Sequence, residues 1–194
     1  MISAILLAAG ESRRMGELKQ LLPFRGKTFV ECCVDNLLAS RVDEVVVVTG
    51  YRHREVGGAV ANRPVRVVYN EDYEFGMSTS IKRGVASVSS EADACLIALV
   101  DQPQISSSTI DRLIEVYEDR HPLIVVPASN GKRGHPIILN LSLRREIEAM
   151  DVTQGLRQVV HAHPREVLQV ELATEEVLFD CDYPEDYRRL FSDQ

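Results

Sequence analysis

The segment Ala9-Gly10-Glu-Ser-Arg13-Arg14-Met-Gly16-Glu-Leu-Lys19 sets two glycines among three basic side chains, directly after an apolar run. Glycines let a backbone approach an anion closely and turn its N–H groups toward the charge. Arg14 and Lys19 would supply the opposing positive charge. The order is not that of a Walker loop, because Glu17 follows Gly16, nor of the dinucleotide pattern G-x-G-x-x-G. On composition alone, a phosphate cradle and an exposed basic loop are equally good readings. Asp101 ends another apolar run, where a bare carboxylate is costly unless it meets a cation. A cap for a helix beginning near Ser106, or a turn before Pro103, would also use it. Asp182 could serve a cation or cap the last helix. Asp180, two residues back, would lie on the same side of an extended segment and is a reserve candidate.

Two further loops carry polar groups at the ends of apolar runs. Between Asn70 and Ser80 the chain passes from a strand end to a helix start, and the first amides of a helix favour anions. Capping by Ser78 or Thr79 competes with that reading. The Gly-rich stretch from Asn130 to Pro136 holds Lys132, Arg133 and His135 and has the composition of a solvated turn. His53, His121, His161 and His163 show no ligand spacing.

The elements that must position these groups alternate in type. Apolar-rich runs over 2–8, 44–49, 65–69, 94–100, 123–126 and 136–139 have strand length, and the unbroken run over 2–8 suits a strand covered on both faces. Helix-period segments fall at 28–40, 54–61, 77–88, from the caps Ser106 to Ser108 through Tyr117, and at 142–149 and 153–161. Late strands are expected at 167–172 and 177–179, and Pro184 opens a final helix at its first position. This alternation predicts an α/β fold, a Rossmann-like, mostly parallel sheet with helices on both faces in three layers. Ligands then sit outside the carboxyl ends of the strands, which gathers the loops after Ala8, Tyr69 and Val100 on one edge.

With 194 residues, 45% hydrophobic and 26% charged, one domain spanning 1–194 is expected, with no linker or repeat. The net charge of −7 argues against nucleic acid and acidic membranes as partners. The charge is uneven: five bases stand against two acids from Met1 to Lys27, and three against nine from Arg165 onward. A basic loop on an acidic protein points to a small polyanion held locally. No apolar run reaches the roughly 20 residues needed to span a bilayer. The first run lacks a basic leader, so a buried strand is favoured over a signal peptide. Cys32, Cys33, Cys95 and Cys181 form no C-x-x-C pair, and free thiols in a reducing cytoplasm are expected.

The run from Leu7 to Pro23, Leu-Ala-Ala-Gly-Glu-Ser-Arg-Arg-Met-Gly-Glu-Leu-Lys-Gln-Leu-Leu-Pro, resembles the signature of the MobA-like nucleotidyltransferases. Within that family it is most similar to the CTP:molybdopterin cytidylyltransferases. The resemblance continues through Gly26-Lys27-Thr28, Asn70, Gly76-Met77, Ser80, Gly84, Asp101-Gln102-Pro103, Gly134-His135-Pro136 and Asp182-Tyr183-Pro184-Glu185-Asp186, in order along nearly the whole chain. It implies a fold of the nucleotide-diphospho-sugar transferase type and Mg²⁺-dependent transfer of CMP from CTP to molybdopterin, with release of pyrophosphate. It places Leu7, Ala8, Ala9, Gly10, Gly16, Gly76, Met77 and Ser80 around the nucleotide, and Arg14 and Lys19 on its phosphates. It makes Asp101 a catalytic residue and, with Asp182, a ligand of Mg²⁺, and it puts His135 and Arg133 on the acceptor side. A handover to a molybdenum hydroxylase and a monomer or weak dimer are also expected. A guanylyltransferase, a cytidylyltransferase with another phosphorylated acceptor, and a non-catalytic nucleotide-binding accessory protein are the alternatives. The sequence departs from the pattern at Tyr183, where Thr is usual, and at Val100, where many members have Gly.

Overall fold

The computed structural model describes residues 1–191. The chain opens with strand β1 (Ile2–Ala8), a 3-10 turn over Lys19–Leu21, a small hairpin of β2 (Pro23–Phe24) and β3 (Lys27–Thr28), and helix α1 (Phe29–Leu38). Then come β4 (Glu44–Thr49), α2 (His53–Ala59), β5 (Arg66–Tyr69), α3 (Met77–Ser87), β6 (Ala94–Leu99) and α4 (Ser107–Arg120). The second half holds β7 (Ile124–Ser129), β8 (Lys132–Arg133), β9 (Ile137–Asn140), α5 (Arg144–Ala149), α6 (Leu156–Ala162), β10 (Val167–Glu171) and α7 (Pro184–Arg189).

The main sheet runs β10-β7-β9-β6-β1-β4-β5, with β8 paired to the end of β7. β1 lies parallel between β4 and β6, in register from Ser3 opposite Glu44 to Ala8 opposite Thr49. All seven residues of β1 are buried. Ala4, Leu6 and Ala8 enter one core with α1, α2 and α4, while Ile5 and Leu7 enter a second with α3, α5 and α6. Alternate residues of a strand point to opposite faces, so an unbroken apolar run is what a central strand between two helical layers requires. The expected three-layer α/β/α arrangement is present.

Two departures from the sequence-based expectation bear on the site. β9 runs antiparallel to both β6 and β7, which brings its first residue, Ile137, beside Ile97 near the carboxyl end of β6. The Gly134-His135-Pro136 corner thereby joins the ligand edge. Residues 177–179 do not form a strand; a 3-10 turn covers Glu176–Leu178. The fully buried Val177 plugs the core, and its carbonyl accepts from the His135 amide (3.1 Å) and from Gln102 Nε2 (3.3 Å). Those bonds serve the carbonyl that a ladder would have used. No described helix is long and apolar enough to cross a membrane.

Candidate active site

The loop after β1 is built around one side chain that its composition does not advertise. Gln20 is buried, and its Nε2 donates to the carbonyls of Gly10 (2.7 Å) and Ala8 (3.2 Å). Its Oε1 accepts from Ser12 Oγ (3.2 Å), which in turn accepts from the Lys19 amide (3.1 Å). This chain of bonds closes the loop upon itself and sends the Lys19 side chain toward the carboxyl end of β6. A polar residue inside the run from Leu18 to Leu22 was the available signal. Gly50 makes the adjoining approach: a Cβ there would lie 2.7 Å from the Ala9 carbonyl and 2.5 Å from Tyr73 Cβ.

Lys19 Nζ bonds Asp101 Oδ2 at 3.0 Å and Asp182 Oδ1 at 2.7 Å. Arg14 reaches the other Asp182 oxygen at 2.8 Å and lies over the Tyr183 ring, 5.9 Å from its centroid. The Tyr183 departure therefore gives Arg14 an aromatic platform. Burial works against the Lys19 ammonium, but the charges and hydrogen bonds of Asp101 and Asp182 outweigh it and hold its pKa above the ordinary value. The Lys19 hydrogen bond, opposed by desolvation and aided by Arg14, holds the Asp182 carboxyl below its usual range.

Asp182 does not cap the last helix. Asp186 reaches back instead, accepting from the amides of Asp182 (3.1 Å) and Tyr183 (2.8 Å), and leaves the Asp182 carboxylate to the cleft. Asp180 accepts from Gln102 Nε2 at 2.8 Å; burial, then the charge of Asp101, pushes its carboxyl above the usual range. Asp101 Oδ1 is buried without a hydrogen-bond partner. A buried carboxylate oxygen left unpaired carries the desolvation penalty in full, and a hard cation is the partner that would remove it. Among the described residues no group of three His, Cys, Asp or Glu is arranged to hold a metal, so an ion here would rest on few protein ligands.

These groups stand at the head of a cleft of 510 Å³. Leu7, Ala9, Gly10, Arg14 and Lys19 line it from the first loop, and Gly76, Met77 and Ser80 from the start of α3. No side chain caps α3 at Gly76; Thr79 donates to the carbonyls of Gly76 and Asp72, and Ser78 to that of Val152. Asn70, itself buried, donates to Thr79 Oγ1 and Ser80 Oγ and fixes this turn. Asp101, Asp180 and Asp182 also line it, as do Arg13 and Tyr73. Two of the expected residues stand elsewhere. Ala8 is wholly buried in the core, contributing its carbonyl to Gln20, and Gly16 shapes the turn behind the cleft with a φ of +77°. Arg133 and His135 line a neighbouring cavity of 630 Å³. Burial lowers the His135 pKa, with the charge of Asp101 opposing. Each cysteine is free and buried, and burial raises every thiol, those of Cys95 and Cys181 to about 12. No cysteine is placed as a nucleophile.

Comparison with known proteins finds relatives along nearly the whole chain. The family described as the MobA-like NTP transferase domain matches residues 4–167. The molybdenum cofactor cytidylyltransferase of Escherichia coli (strain K12) is 32% identical, over 96% of this chain and 93% of that protein. The nicotine blue oxidoreductase of Paenarthrobacter nicotinovorans is 31% identical, over 97% and 96%. The crystal structure of the Rv0371c complex with manganese from Mycobacterium tuberculosis H37Rv superimposes with a TM-score of 0.81 at 28% identity, covering 100% of this chain and 99% of that one.

Proposed function

The chain belongs to the MobA-like NTP transferase family, and from that premise we propose that it transfers CMP from CTP to molybdopterin, releasing pyrophosphate, with Mg²⁺ held at Asp101 and Asp182. It is a nucleotidyltransferase, and its fold is of the nucleotide-diphospho-sugar transferase type. The observation that carries the finer reading is the Lys19 ammonium bonded to both Asp101 and Asp182 at the head of the cleft.

In nucleotidyl transfer an acceptor oxygen attacks the α-phosphorus, and the bond to the pyrophosphate leaving group breaks. The protein must gather four or more negative charges without letting them repel one another. Lys19 and Arg14 are the cations for this task. Both are spent on carboxylates in the free protein, and both can exchange those oxygens for phosphate oxygens when the triphosphate enters. The exchange would release Asp182 and leave Asp101, with its unpartnered oxygen, as the pair to hold Mg²⁺. Bound there, the ion would neutralise charge on the reacting phosphate and its leaving group. Manganese in the Rv0371c complex supports a divalent ion in a relative of the same fold. The chain needs no nucleophile of its own, because the acceptor phosphate serves once its charge is screened. The uncapped start of α3, with Gly76, Met77 and Ser80, would meet the nucleoside side. Leu7-Ala8-Ala9-Gly10 favours CTP over GTP, because guanylyl members more often carry a second glycine there.

The test is to incubate the protein with Mg²⁺, molybdopterin and each of the four ribonucleoside triphosphates, following pyrophosphate and product mass. Turnover with CTP is expected. Turnover with GTP alone would reverse the choice of base, and none with any triphosphate would leave a nucleotide-binding accessory protein.

A further inference from the structure

On the far side of β8 from His135 lies a separate cavity of 700 Å³. Successive side chains of a strand point to opposite faces, so Arg133 lines the cavity beside His135 while Lys132 lines this one. Two distant segments each bring a further cation to it, Arg25 from the β2–β3 hairpin and Arg189 from α7. None of the three has an ion pair with a described residue.

Both guanidinium groups are braced on aromatic rings. Arg25 lies over Phe24, 4.9 Å from its centroid, and Arg189 over Phe179 at 5.4 Å. A guanidinium stacked in this way keeps its N–H edge for an anion. Arg25 holds its place against a backbone penalty: with Gly26 it forms the two-residue turn of its hairpin, at φ values of +50° and +78°. A left-handed backbone is strained for a long L side chain, and such turns favour Asn or Gly there. The β7–β8 turn on the same cavity follows that preference with Asn130-Gly131.

The carboxylates nearby are occupied by neutral donors. Glu176 accepts from Ser106 Oγ (3.1 Å) and from Thr109 Oγ1, and Glu175 accepts from Asn130 Nδ2 (2.8 Å). Three cations against these two acids leave the cavity positive on a protein of net charge −7. Gln104 also lines it. Its Nε2 donates to the carbonyls of Glu176 (3.0 Å) and Phe179 (2.7 Å), while its buried Oε1 has no partner. An acceptor left open beside unneutralised cations suits a ligand with an anionic group and an N–H or O–H donor.

We propose that this cavity is a second ligand site, outside the transfer reaction, that binds a small phosphorylated molecule. Arg25, Lys132 and Arg189 take the phosphate, and Leu178 and Phe179 take its apolar part. Phe179 leads directly into Asp180 and Asp182, so an occupant also pins the segment that carries the second carboxylate of the nucleotide cleft.

The probes are phenyl phosphate and orthophosphate, in equilibrium dialysis with a chelator and no nucleotide. Wild-type protein should bind one phenyl phosphate per chain, and orthophosphate should displace it. Loss of one charge-assisted hydrogen bond corresponds to about a tenfold to hundredfold weakening. Arg189→Gln and Lys132→Gln should each weaken binding by that factor, with Arg189→Lys recovering part of it, while CTP turnover changes less than about twofold. Lys19→Met, which cripples the nucleotide cleft, should bind the probe as wild type does. Phenyl phosphate should raise the Tm of wild type and Lys19→Met but not that of Arg189→Gln. Binding that depends on Lys19 instead of Arg189 would assign the anion to the nucleotide cleft and overturn the proposal. So would no binding by wild type, or retention of a polyglutamate peptide but not of phenyl phosphate, which would make the cations a docking surface for an acidic protein.

Discussion

Lys19 joins two carboxylates that would otherwise repel each other, and most of the charge balance of the cleft depends on it. Lys19→Met should reduce turnover about 10²- to 10³-fold, the usual cost of removing one preorganised group from a charge-developing site. The same variant has a distinctive stability profile. Asp182 is depressed in the folded protein, so its contribution is present above the unfolded carboxyl value of about 3.9 and is lost as pH falls through the lower folded value. Lys19 is raised, so its contribution holds below about 10.4 and is lost as pH rises through the higher folded value. The Tm gap between wild type and Lys19→Met should be widest near neutrality and shrink by pH 3. Circular dichroism is the probe, since the chain has no tryptophan. A gap that is flat or grows at pH 3 would contradict the pairing. Asp101→Asn should cost a similar factor in turnover; it exchanges the Oδ2–Lys19 ion pair for a neutral hydrogen bond, so its Tm should fall, but by less than that of Lys19→Met, which takes the ammonium from both carboxylates. Asp101 stood out in the sequence as a charged residue closing an apolar run, whereas Lys19 and Asp182 were singled out by the family resemblance, since position alone left an exposed loop and a helix cap as equal readings. Gln20 was not, since nothing in an amide's identity tells which carbonyls it will find.

At the scale of elements, the corner before β9 shows how a short motif can be fixed by backbone contact. A Cβ on Gly134 would fall 1.9 Å from the Val177 carbonyl oxygen, a contact that neither backbone can relieve by rotating a side chain. The Gly134 amide also donates to the Pro127 carbonyl at 2.9 Å, which holds the corner against β7. Gly134→Ala should therefore destabilise by at least about 1–3 kcal/mol, as overpacking does, and should raise KM for the acceptor more than for CTP. Chemical denaturation and steady-state kinetics would check the two halves; a variant as stable as wild type would refute the close approach. The strand lengths and the alternation of types were readable from apolar runs and glycine stops. The antiparallel sense of β9 was not, because an apolar run reads the same in either direction. The expected strand at 177–179 failed for a related reason. Three apolar residues meet the local criterion for a strand, but the carbonyl of Val177 is taken up by His135 and Gln102, and only its side chain is wanted in the core.

At the scale of the whole molecule, the cleft is assembled from segments far apart in the chain. Arg14 and Asp182 meet across a separation of 168 residues, and the intervening walls come from the turn after β5 and the end of β6. A ligand that bridges these segments binds the folded state and has no counterpart site in the unfolded chain. It must raise stability by mass action, by about 2.7 kcal/mol at a hundredfold excess over Kd. For a domain near this size each kcal/mol moves Tm by about 2–4 °C, so saturating CTP with Mg²⁺ should raise Tm by roughly 5–10 °C. The metal and the nucleotide should act together. CTP with a chelator leaves Asp101 and Asp182 facing the triphosphate as bare anions, and Mg²⁺ alone must compete with the Lys19 ammonium already bonded to both. Each alone should give less than the pair, and the sum of the separate shifts should fall short of the joint one. Asp182→Asn should reduce the joint shift while leaving more of the CTP-only shift, since it removes one anion that repels the nucleotide. Strictly additive shifts, or full protection by CTP in the presence of chelator, would mean that the carboxylates at the head of the cleft do not share an ion with the triphosphate.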